Sequence, residues 1–389
     1  MFRREIEMKK CTLLMICVAL VVALFGCGKK ENGSSSEVVD VKIGHVGHDH
    51  HIALFVALDN AAKYCKVSGI NLKVIDDKKL YELYDEDKKI ANIEIVKVGG
   101  GSKMPTALAQ EVIDIGFGGV AAVLASADSG AAVRLISPLH YKGDMFVIGN
   151  EFKANSWQEF VAAAKETKRP LRIGYKNPVA VAKVVFEEAL KHERVTFSSN
   201  VSKADVMVHM INVKGGGKLN VALSSSLIDG YAGNNPFPAI AIEKGMGRII
   251  CDLEDLPPGT FRDHPCCCIA ANAKALENKS EAIIDLLVLF LQANETINSS
   301  LDDAVASAVR WIGTSENIER RSIPTSGYSM EDSLQWRKGM DKWIETMGEL
   351  DVFRNKFKDA KADNVTSGAY NLSLLEKARE KLARRQIEK

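Results

Sequence analysis

The sequence predicts an α/β protein with two mostly parallel sheets and a helical C-terminal part. Three observations carry this expectation. Short apolar runs of strand length alternate with longer runs of helical periodicity between residues 41 and 270. The alternation restarts at Ser156, in a chain of 389 residues that is long enough for about two domains. From Lys274 onward the pattern is nearly all helical, as in SEAIIDLLVLFLQA and SMEDSLQWRKGMDKWIETM.

The elements follow in order. VKIGHV reads as a strand with Val41, Ile43 and His45 on one face, and IALFVALDNAAKYC as a buried helix. The charged stretch DDKKLYELYDEDKKI reads as a solvated hairpin or insertion. IEIVKV is a strand, and GGGSKMPTALAQ is a glycine loop opening a helix with Pro105 in its first turn. VIDIGF, VRLISPLH and MFVIGN are further strands. Ser156 and Glu159 stand at capping-box spacing before the next helix. LRIGY is a strand, and Asn177 and Pro178 are expected as N-cap and first residue of the helix that follows. VMVHMIN, LIDGYA, RIICDL and CCCIAAN complete the strands. Trp157, Trp311, Trp336 and Trp343 fit helix packing, and His192 and His209 read as structural.

In open sheets of this class, ligands bind beyond the carboxyl ends of the strands. The loops there are GHDHH (His48, His50, His51), GGGSKM (Gly100, Gly101, Ser102), the Gly118–Gly119 pair, PLHYKGD (His140), YKNP (Asn177, Pro178) and AGNNP (Asn234). They precede helix N-termini, whose exposed N–H groups suit an anion or a polar head group. At the start of a helix the imidazolium is disfavoured, which keeps His50 and His51 neutral and able to bind a ligand.

The N-terminus has its own pattern. Lys9 and Lys10 precede an apolar run from Cys11 to Gly26, as in a signal peptide over residues 1–26, with Met1 or Met8 as the start. Leu24-Phe25-Gly26-Cys27 resembles a bacterial lipobox, which implies lipidation of Cys27. Residues 27–39 are polar and Ser-rich and read as a flexible tether. The chain carries 51 basic and 50 acidic residues, so charge offers no argument for nucleic acid.

Beyond the leader and Cys27, the thiols are Cys65, Cys251, Cys266, Cys267 and Cys268. Five cysteines, three of them adjacent, do not make a tidy disulfide framework. On a regular strand Cys266 and Cys268 share one face with His264, and Cys267 takes the other. Neighbours two apart lie about 6.6 Å from one another, so the run is a poor one-segment zinc site unless Pro265 bends the chain. Metal ligation is left open, and no cofactor is expected.

The stretches VKVGGGSKMPTALAQEVIDIGFGGVAAVLASADSGAAVRLISPL, LRIGYKNPVAVAKVVFEEAL and SSSLIDGYAGNNPFPAIAIEKGMGRII, with SIPTSGYSMEDSLQWRKGMDKW near the end, carry a resemblance across nearly all of residues 40–350. The chain resembles ABC-transporter solute-binding lipoproteins of the nitrate/sulfonate/taurine type, a fold also similar to yeast thiamine-pyrimidine synthase. The resemblance implies a two-lobed, periplasmic-binding-protein-like fold of type II, with MFVIGN and CCCIAAN as crossing strands. Lobe I is then residues 40–144 and 273–389, and lobe II residues 145–272. It implies a binder without turnover, on the outer face of the cytoplasmic membrane or in the periplasm, tied to the membrane by its lipid alone. Its partners are then ABC permease and ATPase subunits and a small ligand (an anion, an organic solute or a thiophilic species).

Two alternatives stand beside this reading. The proteins proposed for selenocysteine-assisted organometal transport look similar in having cysteine or selenocysteine pairs here. By that resemblance Cys266, Cys267 and Cys268, with the loop histidines, bind an organometal or soft metal. The yeast pyrimidine synthases carry Cys-Cys-Cys-Phe-Cys, where this chain has Ile269 and Ala270 after the three cysteines. The export pattern also separates it from cytosolic pyridoxal phosphate, so an enzyme ranks third. Expression in a bacterium fed labelled fatty acid tests the leader: the wild type should take up label, Cys27→Ser should not, and equal labelling would refute lipidation.

Overall fold

The computed structural model describes residues 38–100 and 103–388. The expected signal peptide, nearly all of the tether, the lipidation site Cys27 and the loop residues Gly101 and Ser102 lie outside the described residues.

The chain begins β1 (Val39–His45), α1 (Ile52–Ser68), β2 (Ile70–Asp76), β3 (Leu80–Asp85), β4 (Lys88–Lys97), α2 (Met104–Ala109), β5 (Ile115–Gly119), α3 (Val120–Asp128) and β6 (Val133–Lys142). It continues β7 (Asp144–Gly149), α4 (Trp157–Glu166), β8 (Leu171–Tyr175), α5 (Val181–His192), β9 (Phe197–Ser198), β10 (Val208–Asn212), α6 (Leu219–Ser224), β11 (Gly230–Asn234), α7 (Phe237–Glu243) and β12 (Gly247–Asp252). Then come β13 (Pro265–Asn272), α8 (Ala273–Asn278), α9 (Ser280–Ser299), α10 (Leu301–Ile312), α11 (Glu316–Ser322) and β14 (Ser326–Tyr328). Three helices close the chain: α12 (Leu334–Glu349), α13 (Ala362–Ala369) and α14 (Ser373–Ile387).

Two sheets result. The larger has the order β14-β6-β13-β5-β1-β4-β3-β2 and the smaller β12-β7-β11-β8-β10-β9. Among the described residues, parallel pairing is confined to β1 with β4 and β5, and to β8 with β10 and β11 and β10 with β9. The expectation of mostly parallel sheets is therefore corrected to mixed sheets. The charged insertion folds as antiparallel β2–β3–β4, and β13 returns against β5 and β6. Helix α1 buries an unbroken run from Ile52 to Leu58, because it lies between the sheet and the helices α9 and α10. A helix apolar on all sides needs such enclosure.

The chain passes from the larger sheet to the smaller at Gly143, between β6 and β7, and returns between β12 and β13. Residues 265–272, expected in lobe II as a crossing strand, pair inside the larger sheet instead. The strand part of MFVIGN, residues 145–149, likewise pairs inside the smaller sheet. The reason is hydrogen bonding. An eight-residue strand buried along its whole length must satisfy its backbone groups, and β5 and β6 supply both partners.

Ser156 caps α4 by accepting from Glu159 N, as its spacing predicts. Helix α5 starts later than expected, at Val181. The Asn177 side chain accepts from Val179 N in a local turn, so Asn177 and Pro178 stay in the loop.

Helix α12 clamps the start of β13. Trp343 is fully buried and its Nε1 donates to Pro265 O at 2.7 Å. Gly339, one helical turn earlier, faces the Pro265 ring, and a Cβ there would overlap Pro265 Cδ. Gly339→Ala should therefore destabilise the fold by about 1–3 kcal/mol through overpacking, although the same change on a free helix surface gains up to about 1 kcal/mol. Urea denaturation decides the sign, and a stabilised variant would show that α12 does not press on Pro265.

Candidate functional site

Strand β13 does not run as a regular strand past its cysteines. Against β6, Pro265 pairs with Tyr141 and Cys267 with His140, so Cys266 is an extra residue bulged out of the ladder. A bulge re-aims side chains that alternation would separate. Cys266 Sγ and Cys267 Sγ both approach His50 Nδ1, at 3.4 Å and 3.8 Å. Cys268 points elsewhere and donates to Gly118 O at 3.5 Å. The expected pairing of Cys266 with Cys268 on one face is thus corrected.

His50, His140, Cys266 and Cys267 each offer one donor atom, and these atoms all lie within 4.8 Å of one another. All four side chains are buried. Their neighbours fix the tautomers. His50 Nε2 donates to the carbonyl of Gly143 at 3.1 Å, which leaves the Nδ1 lone pair facing the sulfurs. His140 Nδ1 donates to Tyr141 O at 3.2 Å, and its Nε2 is buried without a hydrogen-bond partner. A carbonyl can only accept, so in the neutral ring the other nitrogen carries the lone pair. Backbone carbonyls behind histidines are the usual outer support of metal ligands.

Two acid–base groups stand behind the thiols. Asp144, buried at the crossover, accepts from Cys266 Sγ at 3.1 Å. His264 Nδ1 donates to Phe261 O at 2.7 Å, and its Nε2 lies 3.8 Å from Asp144 Oδ2. Burial raises the Asp144 carboxyl, but the neighbouring His264 and the positive charge of Lys176 outweigh it and hold the group below the usual range. Cys266 is pushed up by burial and by its hydrogen bond with Cys267. For Cys267 burial acts upward too, yet the Cys266 hydrogen bond and the nearby His140 and His50 pull it well below the ordinary thiol. The two adjacent thiols are thus pushed in opposite directions, Cys266 up and Cys267 down. His50 and His51 are lowered by burial first, so both rings stay neutral. His51 accepts from Val46 N at 3.1 Å and places its other nitrogen toward Cys267.

The remaining expected residues fall around two cavities. A small one of about 20 Å³ touches the cluster and is lined by His48, Gly118, Gly119, Lys176 and Asn177. A larger one of about 750 Å³ adjoins it and takes in Gly100 and Pro178. It opens at the carboxyl ends of β1, β4, β8, β10 and β11. Asn234 stands behind the wall, accepting from Lys176 Nζ at 2.6 Å. Sequence reasoning missed Asp144, His264 and the lysines Lys97, Lys103, Lys176 and Lys214. Asp144 and Lys176 lie within loops it had singled out, while the glycine run at 215–217 marks the loop of Lys214. No disulfide joins the described cysteines.

The NMT1-like family model matches residues 34–313, more than half of the chain. The uncharacterized protein MJ1180 of Methanocaldococcus jannaschii is 37% identical over 135 residues, which are 34% of this chain and 91% of that protein. In structure the chain is similar to the ligand-binding component of an ABC-type import system from Staphylococcus aureus, solved with zinc bound. The TM-score there is 0.68 at 15% identity, over 88% of this chain and 99% of that one. It is also similar to the periplasmic nitrate-binding protein NrtA from Synechocystis, with a TM-score of 0.64 at 13% identity, over 90% of this chain and 91% of that one. At these identities the likeness concerns the fold, which is that of the two-lobed periplasmic binding proteins. On the match over residues 34–313, the chain belongs to the NMT1-like family.

Proposed function

We propose that this chain is the extracytoplasmic solute-binding subunit of an ABC importer, tethered through a lipid on Cys27, and that its cargo carries a soft, thiophilic metal centre. The fold supports the binding role, and a permease with its ATPase subunits would receive the cargo. One observation carries the choice of cargo: two sulfurs and two imidazole nitrogens converge within 4.8 Å in a buried pocket. Two thiolate sulfurs and two imidazoles suit Zn²⁺, Cu⁺ or a metal that already bears an organic group. Hard, oxygen-loving ions such as Mg²⁺ or Ca²⁺ find no matching donor set in this cluster.

The position of the cluster favours cargo over a permanent structural ion. The small cavity beside it takes His48, His50, Cys266 and Cys267 from the larger-sheet half and Lys176, Asn177 and Val181 from the smaller-sheet half. Parting the two halves at the Gly143 crossover would bare the donors, and closing them would bury the cargo. We propose lobes that follow the sheets, with 265–272 counted in lobe I. Binding without turnover is the reading, since the donors are poised to hold a metal and no substrate-sized space separates them. The sequence alone leads to an unspecified small solute. That reading keeps one specific support, the lysine-lined larger cavity.

Titration of the reduced protein with Co²⁺ and Cd²⁺ tests the proposal. One equivalent should bind, with thiolate-to-metal charge-transfer absorption and the cobalt bands of a tetrahedral site. Cys266→Ser, Cys267→Ser, His50→Ala and His140→Ala should each weaken binding roughly tenfold or more, and Cys268→Ser should leave stoichiometry and spectrum unchanged. Binding should weaken as pH falls, because protons compete for the same lone pairs. Undiminished binding by the variant lacking all four donors would remove the assignment.

A further inference from the structure

The Cys/His cluster uses one corner of the cleft. The cavity at the cluster is about 20 Å³, whereas the one beside it is about 750 Å³. A bare ion has no use for the second volume, which falls in the range of pockets for small organic ligands. The two cavities share three walls, His48, Lys176 and Asn177. The larger space therefore borders the pocket of the donors directly.

The larger cavity has a one-signed lining. Lys97, Lys103, Lys176 and Lys214 face it, and among the described residues no Asp or Glu does. In a chain with 51 basic and 50 acidic residues this is a local excess of positive charge. Lys176 is half-buried at the junction, and its Nζ reaches an amide oxygen, Asn234 Oδ1, and not a carboxylate. His48 is only 4% exposed, and its Nδ1 has no hydrogen-bond partner, so a buried polar atom at the same junction awaits one. The rest of the wall includes Val98, Phe237, Ile240 and Ile312, which suit a carbon frame.

We propose that the cargo is a soft metal joined to an anionic organic group, with the metal on His50, His140, Cys266 and Cys267 and the anionic group among the lysines of the adjoining cavity. This rests on the metal-binding reading above. The physical reason is charge matching. Thiolate donors meet the charge of the metal, so an anionic group on the metal has to find its counter-charge elsewhere, and the cavity supplies it within a focusing, low-dielectric wall. A carboxylated group bonded to the metal through carbon and a carboxylate chelator share this chemistry.

Two matched probe pairs test it. In the first, 4-mercuribenzoate and phenylmercury, equilibrated against a free-thiol buffer, differ only in a carboxylate, and occupancy at Cys266–Cys267 is read by mass spectrometry. In the second, cadmium–nitrilotriacetate is compared with Cd²⁺ alone by native mass spectrometry. The carboxylated mercurial should bind about tenfold more tightly, the range two partly solvated ion pairs supply, and the advantage should shrink in 1 M salt. Alternatively, nitrilotriacetate should be retained with cadmium. The double variant Lys97→Gln/Lys214→Gln, changed at exposed positions, should lose the preference and keep its phenylmercury affinity, which also reports that it is folded. A preference in the first pair assigns a carbon-bonded group, and retention in the second assigns a chelator. No discrimination in either pair overturns this inference alone. Absence of metal at Cys266 and Cys267 with every probe overturns the metal-binding reading and this inference together.

Discussion

The site depends on one break in strand regularity. If β13 were an unbroken strand, Cys266 and Cys267 would point to opposite faces, and neither could join the other at His50. The extra residue at Cys266 removes that restriction locally and leaves the rest of β13 in register with β5. Pro265 precedes the bulge and has no N–H to give to the ladder. Its carbonyl is taken by Trp343 and its ring is pressed by α12 at Gly339. A helix from the C-terminal region thus holds the distortion that places the two sulfurs.

Burial does the second part of the work. Ionised groups are disfavoured away from water, so the histidines of GHDHH are neutral and keep lone pairs for a ligand. A buried thiolate would be costly by itself. Cys267 has a thiol and several imidazoles around it, and these outweigh the desolvation. Asp144 remains ionised beside them because His264 and nearby positive charge support it, and it orients Cys266. The two thiols are therefore unequal: Cys266 is pushed above the ordinary thiol and donates to Asp144, while Cys267 is pulled below it.

The crossover ties this chemistry to the architecture. Gly143 lies between β6 and β7 with φ +84°, a conformation suited to glycine, and its carbonyl accepts from His50. The next residue, Asp144, accepts from Cys266. The chain segment that joins the two sheets is thus hydrogen-bonded to two of the four donors. Any relative movement of the sheets about this segment would alter the geometry of the cluster, and any ligand on the cluster would bias that movement.

Much of the fold was legible because it rests on local periodicity. Alternating apolar runs located the strands and helices, Ser156 marked a helix start, and the charged insertion declared itself a hairpin. The loops beyond the strand ends were legible too, and they contain His48, His50 and Asn177, whereas His140, expected in a loop, lies on β6, which extends to Lys142 to pair with β13. What local pattern cannot express is pairing between distant segments. The register of β13 against β6 decides which cysteines converge, and it is set by residues far away in sequence, as Pro138 is from Cys268, and by a helix beyond residue 333, hence its escape from a reading based on alternation. The partnership of His50 with cysteines 216 and 217 residues later has the same origin. By itself the sequence determined the elements, the order of the loops and the supply of donors. Only the tertiary structure decided which donors meet, because a bulge, a crossover and burial each act through contacts that close in space and leave no period in the chain.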